Sequence, residues 1–306
     1  MRLATAFSGL RAAAATGRIL ARVLVAGALA LTSGCAMVQM GYTHLDTAAA
    51  WKADEYFDLD PQQKQEFRVR FERLHEWHRR EQLPEYIVFL TETKVRLSKP
   101  PTREDIVWIT DGLKTRYRVM ARRVAPDGAA ILATLRPEQI VVAQKQWDDD
   151  NRRFTREYRL RAGVEEMRRA RAERALDEIR KWTSGLTAEQ ERTITAMSEK
   201  MPSISELRLQ DRIRRQREFR QLLDTRTSGD LSARLTRYLV DWESGRSPEY
   251  DRLLTEWWEK RQDYFIALYN LLTPEQRAAV LRRLQNYIDD FAKLSERSAA
   301  AAQSQK

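Results

Sequence analysis

From Thr43 to about Glu296 the apolar residues of this chain recur every third or fourth position, and nowhere do they alternate. That spacing matches the 3.6-residue turn of an α-helix, which points one face at a core and leaves the other polar. A strand needs a period of two, so the pattern predicts helices throughout and no sheet. Composition supports this. There are only 11 glycines, while Arg, Glu, Gln, Leu and Ala, all good helix formers, abound. Eight Trp, 10 Tyr and 9 Phe supply large areas for burial. With a single cysteine the chain can form no internal disulfide, so packing must hold it.

The segments follow from their stops and starts. A helix over about 43–57 leads into one from Pro61 to about Gln82, where Phe67, Phe71, Leu74 and His78 share a face. Leu83-Pro84 breaks it and opens a third, to about Leu97. After Lys99-Pro100-Pro101, Thr102 caps a helix that ends near Ala125-Pro126-Asp127-Gly128. The longest segment runs from Pro137 to Trp182 on a seam of Ile140, Trp147, Phe154 and Tyr158. Over 159–174 that seam thins into Arg, Glu and Ala, which reads as a projecting arm weakest at Gly163. Helices follow at about 188–200, 203–223 and 230–243. A final pair, 248–271 and 274–296, has an inner face of Leu281, Leu284, Ile288 and Phe291. The expected fold is all-α: an irregular multi-helix bundle with one long central helix and a C-terminal helical hairpin.

One short pattern opens four of these helices: Leu59-Asp60-Pro61-Gln62-Gln63, Leu135-Arg136-Pro137-Glu138-Gln139, Leu186-Thr187-Ala188-Glu189-Gln190 and Leu272-Thr273-Pro274-Glu275-Gln276. Asp or Thr caps, Pro fits the first position because its missing N–H costs nothing there, and Gln can reach back to close a capping box. Arg136 cannot cap, so that copy is degenerate. The intervals of 76, 51 and 86 residues are too uneven for a solenoid. The pattern is also similar to the Leu-Thr-x-x-Gln motif of the small Spy/CpxP-type periplasmic chaperones. That resemblance implies a helical envelope protein that holds unfolded clients.

The first 35 residues predict an address. Arg2, Arg11, Arg18 and Arg22 are their only charges, followed by an apolar run over Val23–Leu31 and then Thr32-Ser33-Gly34-Cys35. A positive start, a short apolar core and small residues before a cut are the parts of a secretory signal, and the core is about half the roughly 20 residues that span a bilayer. The stretch resembles a lipobox. The resemblance implies lipidation of Cys35, cleavage before it, and, with Ala36 rather than Asp next, passage to the outer membrane. Each buried CH₂ adds about 0.8 kcal/mol, so two or three chains anchor firmly. The expected organisation is a signal peptide over 1–34, a lipidated tether over 35–42, an all-helical periplasmic domain over 43–297 and a disordered tail over 298–306.

Three further runs, Tyr42-Thr43-His44-Leu45-Asp46, Asp54-Glu55-Tyr56-Phe57-Asp58-Leu59 and Trp77-His78-Arg79-Arg80-Glu81-Gln82-Leu83-Pro84-Glu85-Tyr86, resemble a proteobacterial lipoprotein family, domain of unknown function six-two-seven-nine. The resemblance covers nearly the whole mature chain. It implies an envelope location and an all-helical fold, and no activity.

Candidates for chemistry are few. His75 and His78, with Glu81, could approach a metal, but a zinc site usually needs three or four protein ligands and only His44 remains. A half-buried imidazole pair is the competing reading. Asp148-Asp149-Asp150 point in different directions on a helix and lack the spaced loop that wraps Ca²⁺. Ser205-Glu206 reverses the order expected of a lytic transglycosylase. No Gly-x-Ser-x-Gly, phosphate-cradling glycine loop or mature cysteine nucleophile is present, so no enzyme, metal or cofactor is expected. Loss of the four signal arginines takes the formal charge from +10 to +6, well mixed, and not the concentrated charge of a nucleic-acid binder.

The expected binding surface is the arginine stripe Arg208, Arg212 and Arg215, because a guanidinium grips phosphate and carboxylate bidentately. Unfolded or acidic envelope proteins and anionic lipid would fit it. The competing reading is a solvated face paired to Glu206, Asp211 and Glu218. Together these features predict a lipid-anchored, non-enzymatic binding or quality-control protein on the periplasmic face of the outer membrane. A structural adaptor to peptidoglycan or to an envelope complex is the alternative, and a cell-wall hydrolase the remotest.

Overall fold

A computed structural model describes residues 39–304, with side chains from 39 to 296. The signal segment, Cys35 and the first residues of the tether lie outside the described residues. The chain divides into a short unit ending at Leu45 and a main body from Asp46 onward, each described by itself. In the short unit residues 39–43 are already helical, with the His44 N–H donating to the Met40 carbonyl, so the described end of the tether is a helical turn.

The described residues form eleven α-helices and one π-helical turn, without a strand. In chain order they are α1 (Leu45–Phe57), α2 (Pro61–Trp77), the π turn (His78–Gln82), α3 (Leu83–Arg96), α4 (Arg103–Ala133), α5 (Pro137–Glu157), α6 (Val164–Trp182), α7 (Ala188–Glu199), α8 (Ser205–Asp224), α9 (Leu231–Val240), α10 (Pro248–Leu271) and α11 (Pro274–Ser304). The all-α class read from periodicity is the class observed. None of the described helices is long and apolar enough to cross a membrane.

Two prolines fail to interrupt the helical path. Leu83-Pro84 opens α3 where expected, but the chain does not leave helical geometry there. The π turn lets the Leu83 N–H donate to the His78 carbonyl five residues back, and this wider turn takes up the proline that a tight α-turn would clash with. Nor does α4 stop near Pro126; it continues to Ala133. Ala125 and Ala129 are fully packed against Leu231 and Leu235 of α9, and a Cβ on Gly128 would sit 3.4 Å from Leu235. Tertiary packing outweighs the one hydrogen bond that Pro126 forfeits. Leu59, Leu132, Ile140 and Leu223 complete this core, each worth about 1.5–3 kcal/mol when fully buried.

The long helix expected over Pro137–Trp182 is not formed. The chain turns at 158–163, where Arg159 takes a left-handed φ of 50° and Gly163 caps α6 in extended conformation. Nor is 159–174 a projecting arm. α6 packs along α7 with Ala170 and Ala172 buried. The final pair are joined by two residues as expected but diverge: α10 lies against α4 and α7, while α11 lies along α3. The backbone of α11 stays helical to Ser304, past the point where the tail was expected to lose order.

The four repeated helix starts come together in two pairs. Gln63 and Gln139 exchange amide hydrogen bonds at 3.2 and 2.7 Å, and Gln190 and Gln276 do so at 2.8 and 2.9 Å. Each glutamine oxygen also accepts the N–H of its own capping residue: Asp60, Arg136, Thr187 or Thr273. The amide nitrogens reach the carbonyls that end another helix: Gln63 that of Thr134, Gln139 those of Phe57 and Asp58, Gln190 that of Leu271. Two helix corners are thus clamped back to back at each junction. At the degenerate copy only half the box exists, because a guanidinium has no acceptor; Arg136 instead pairs with Asp60 at 2.6 Å.

Candidate functional site

The main body also holds an open cleft of about 1810 Å³. Ligand pockets for small molecules run to roughly 300–1,000 Å³, so this one has room for a longer or bulkier occupant. Its floor is aromatic, and five tryptophans reach it: Trp147 of α5, Trp182 of α6, Trp242 after α9, and Trp257 and Trp258 of α10. Ten basic and five acidic side chains line it.

The acids are all engaged. Asp150 faces Arg212 and Arg153, Asp177 faces Arg180, Glu178 faces Lys181, Asp211 faces Arg214, and Glu243 faces Lys114, Arg118 and Arg246. Six of the lining arginines, by contrast, have no carboxylate partner among the described residues: Arg171, Arg174, Arg208, Arg215, Arg261 and Arg277. Ten basic against five acidic side chains leave the cleft lining with a positive excess.

What holds these arginines is backbone and aromatic rings. Arg171 donates to the Ser198 and Glu199 carbonyls at 3.0 Å, capping the end of α7. Arg174 donates to the Glu157 carbonyl and lies 4.2 Å from the Tyr158 ring centre. Arg261 lies over Phe265, Tyr264 and Trp257 at 4.4, 5.1 and 5.6 Å. Burial pushes all three guanidiniums below their ordinary pKa, since each cation has surrendered hydration. The Tyr264 hydroxyl meets the Ser198 hydroxyl at 3.0 Å. Arg171 and Arg261 therefore flank one Ser198–Tyr264 contact from two helices.

The predicted stripe is in the cleft. Arg208, Arg212 and Arg215 all line it, so α8 presents them to the open cleft. Their roles differ. Arg212 is tied to Asp150 at 3.4 Å and to the Asn151 side-chain oxygen at 3.0 Å. Arg215 donates to the Tyr238 carbonyl at 3.3 Å and lies 4.5 Å from that ring. Arg208 is exposed and has no ion pair. Asp211 and Glu218, the expected partners of the stripe, pair with Arg214.

Asp150 is not the solvated acid its sequence neighbours suggest. Its side chain is 11% exposed and accepts a short hydrogen bond from the Tyr56 hydroxyl, whose pKa burial and this bond raise to about 12. His75 and His78 lie among aromatic rings, His75 5.8 Å from Phe71 and His78 edge-on to Tyr86 at 5.3 Å. Burial lowers the pKa of both, that of His78 to about 4. The described residues contain no cluster of three or more His, Cys, Asp or Glu that could hold a metal. Ser205 lines the cleft while Glu206 points away from it into solvent.

Sequence reasoning missed Arg171, Arg174, Arg261 and Arg277. The first two fell in the supposed arm. For Arg261 a signal exists: Trp257, Arg261, Tyr264, Phe265 and Leu268 follow i, i+4, i+7, i+8 and i+11, an amphipathic stripe with a cation in its middle.

Residues 55–251 match the model of a Family of unknown function (DUF6279), and the chain belongs to that family. No curated protein and no solved structure matches it. The likeness to the Spy/CpxP-type chaperones finds no support in these comparisons, and the repeated motif is accounted for by the two glutamine junctions.

Proposed function

We propose that this member of the family is a lipid-anchored binding protein of the outer membrane, facing the periplasm, that holds a ligand in the cleft and does not transform it. The observation that carries this reading is the set of six guanidiniums without carboxylates over an aromatic floor. A desolvated cation with no partner is unfavourable, and a bound anion relieves it. The aromatic walls would bury apolar surface of the same ligand. Catalysis is a poorer account of the cleft, because every lining carboxylate already faces a cation and none stands apart as a general acid or base. The address rests on the sequence of residues 1–35.

A photocrosslinking residue placed at Leu254, in the cleft, should capture ligand in cells. One at Val88, 66% exposed and outside the cleft, should not. Equal capture from both positions, or capture from Val88 alone, overturns the reading. For the anchor, Cys35→Ser should abolish lipid labelling and leave the precursor uncut. An unchanged, lipid-labelled mature band would refute lipidation at Cys35.

A further inference from the structure

The cleft combines two kinds of recognition in one cavity. Its walls are apolar and aromatic along their length, from Phe89 and Leu113 to Trp258 and Leu268. Its unpaired charge is all of one sign and all guanidinium. A guanidinium offers five N–H donors in a planar fork that matches the oxygens of a phosphate, and is weakly enough hydrated to sit against rings. At the Ser198–Tyr264 contact, Arg171 spends Nε and one terminal nitrogen on carbonyls, while Arg261 spends no donor on any described acceptor. Several donors converging on one small region suit a head group with several oxygens.

We infer that the cleft binds a phosphate-headed lipid, its alkyl chain laid along the aromatic floor and its phosphate held by Arg261 and Arg171. This rests on the binding-protein reading above and names the ligand class. Three features favour a lipid over an extended polypeptide. The described residues offer no strand edge on which a peptide backbone could pair. The charged groups of the cleft that have no ion-pair partner are all guanidiniums, which donate and offer a peptide N–H nothing to bond to. The volume of about 1810 Å³ exceeds that of a drug-sized pocket, as a long chain requires.

The five lining tryptophans make the test direct, since an occupant must alter their fluorescence. The full-length protein is titrated with dodecyl phosphate below its micelle concentration, with dodecyl maltoside as the same chain on a neutral head, and with inorganic phosphate as the head without the chain. Dodecyl phosphate should saturate, and the other two should bind at least tenfold more weakly. Arg261→Gln should weaken dodecyl phosphate at least tenfold while leaving dodecyl maltoside unchanged. Arg261→Lys should recover part of the loss. Circular dichroism of each variant confirms that it is folded. Equal affinity for the two amphiphiles, or no effect of Arg261→Gln in a folded variant, overturns the phosphate assignment. Inorganic phosphate binding as tightly as dodecyl phosphate reduces the cleft to a simple anion site and also overturns it. If neither amphiphile binds but a denatured acidic protein is held, the lipid inference fails and the binding-protein reading stands. If nothing binds, and Leu254 captures nothing in cells, both fail.

Discussion

At the Gln63–Gln139 junction every polar atom of the two buried amides is bonded, while in the cleft six guanidiniums lie without a carboxylate. The two regions draw on the same polar-rich helices and treat polarity in opposite ways. At a junction, the glutamines satisfy helix ends that would otherwise leave orphan N–H and C=O groups, so the arrangement stabilises the fold and offers nothing to a ligand. In the cleft, Arg171, Arg174, Arg215 and Arg277 find backbone carbonyls but no carboxylate, and Arg208 and Arg261 spend no side-chain donor on any described acceptor. Full satisfaction marks structure; a one-signed deficit marks a binding site. The glutamine repeat is thus the more conspicuous sequence motif and the less informative about function.

The largest effect should come from breaking a junction. Gln139 is 1% exposed, and Gln139→Ala removes the side-chain partner of the Arg136 N–H and of the Phe57 and Asp58 carbonyls and takes away one of the bonds at each end of the Gln63 amide. Each buried group left without a partner costs about 1–3 kcal/mol. With partial relaxation, a total of about 3 kcal/mol is expected, lowering the melting temperature by about 6–12 °C at ~2–4 °C per kcal/mol. Gln276→Ala should do the same at the second junction. A fall of less than a couple of degrees in both would show that the amide exchange is dispensable, and the contrast with the cleft would lose its stable side.

A smaller, pH-dependent effect separates the junctions from the π turn beside them. The junction holds one titrating group, Asp60, kept below the ordinary carboxylate range by the Gln63 N–H and by Arg136, so its contribution is lost only as the pH falls below that range. His78 has a folded pKa of about 4 against an ordinary 6.5, because burial disfavours its charged form. Between those values the unfolded chain binds the extra proton. The stability this gives is present above pH 6.5 and is lost as the pH falls toward 4. Allowing for partial exposure, it amounts to about 1–2 kcal/mol. Burial moves His75 the same way. Melting curves from pH 7 to 4.5 should therefore slope downward in the wild type and less steeply in His78→Gln. An unchanged slope in that variant would assign the acid sensitivity elsewhere.

How much of this was legible in the sequence follows from the range of each effect. Capping is local. Asp60, Thr187 and Thr273 announce helix starts that the structure contains, because a cap and its box lie within four residues. That their glutamines would meet in pairs, 76 and 86 residues apart, was not legible, because the meeting depends on how the corners stack. The helix overrunning Pro126 fails for the same reason: Ala125, Ala129 and Leu235 decide it from different elements. The break at Arg159 was hidden because a left-handed residue needs no glycine when one turn of backbone supports it. The stripe Arg208–Arg212–Arg215 was found by its spacing. Its lining a cavity was not, since a helical period shows which residues share a face and not what that face looks upon.

The smallest effect is the one that most sharpens the comparison. Arg261 gains attraction from three rings, about 0.5–1 kcal/mol for each favourable placement, and loses hydration to burial with no carboxylate in return. The two terms oppose each other, so Arg261→Gln should shift the unfolding free energy by no more than about 0.5 kcal/mol in either direction. Arg208→Gln, at an exposed position without an ion pair, should be equally silent. Arg212→Gln removes the 3.4 Å pairing from Asp150, and at 40% side-chain exposure should cost only about 0–1 kcal/mol. Denaturant unfolding of the three variants beside Gln139→Ala checks the order. If Arg261→Gln alone lowers stability by as much as the junction variant, its guanidinium is a structural prop bonded in solution as tightly as the glutamines. The cleft would then hold no unspent charge at that point, and the argument from imbalance to ligand would fall with it.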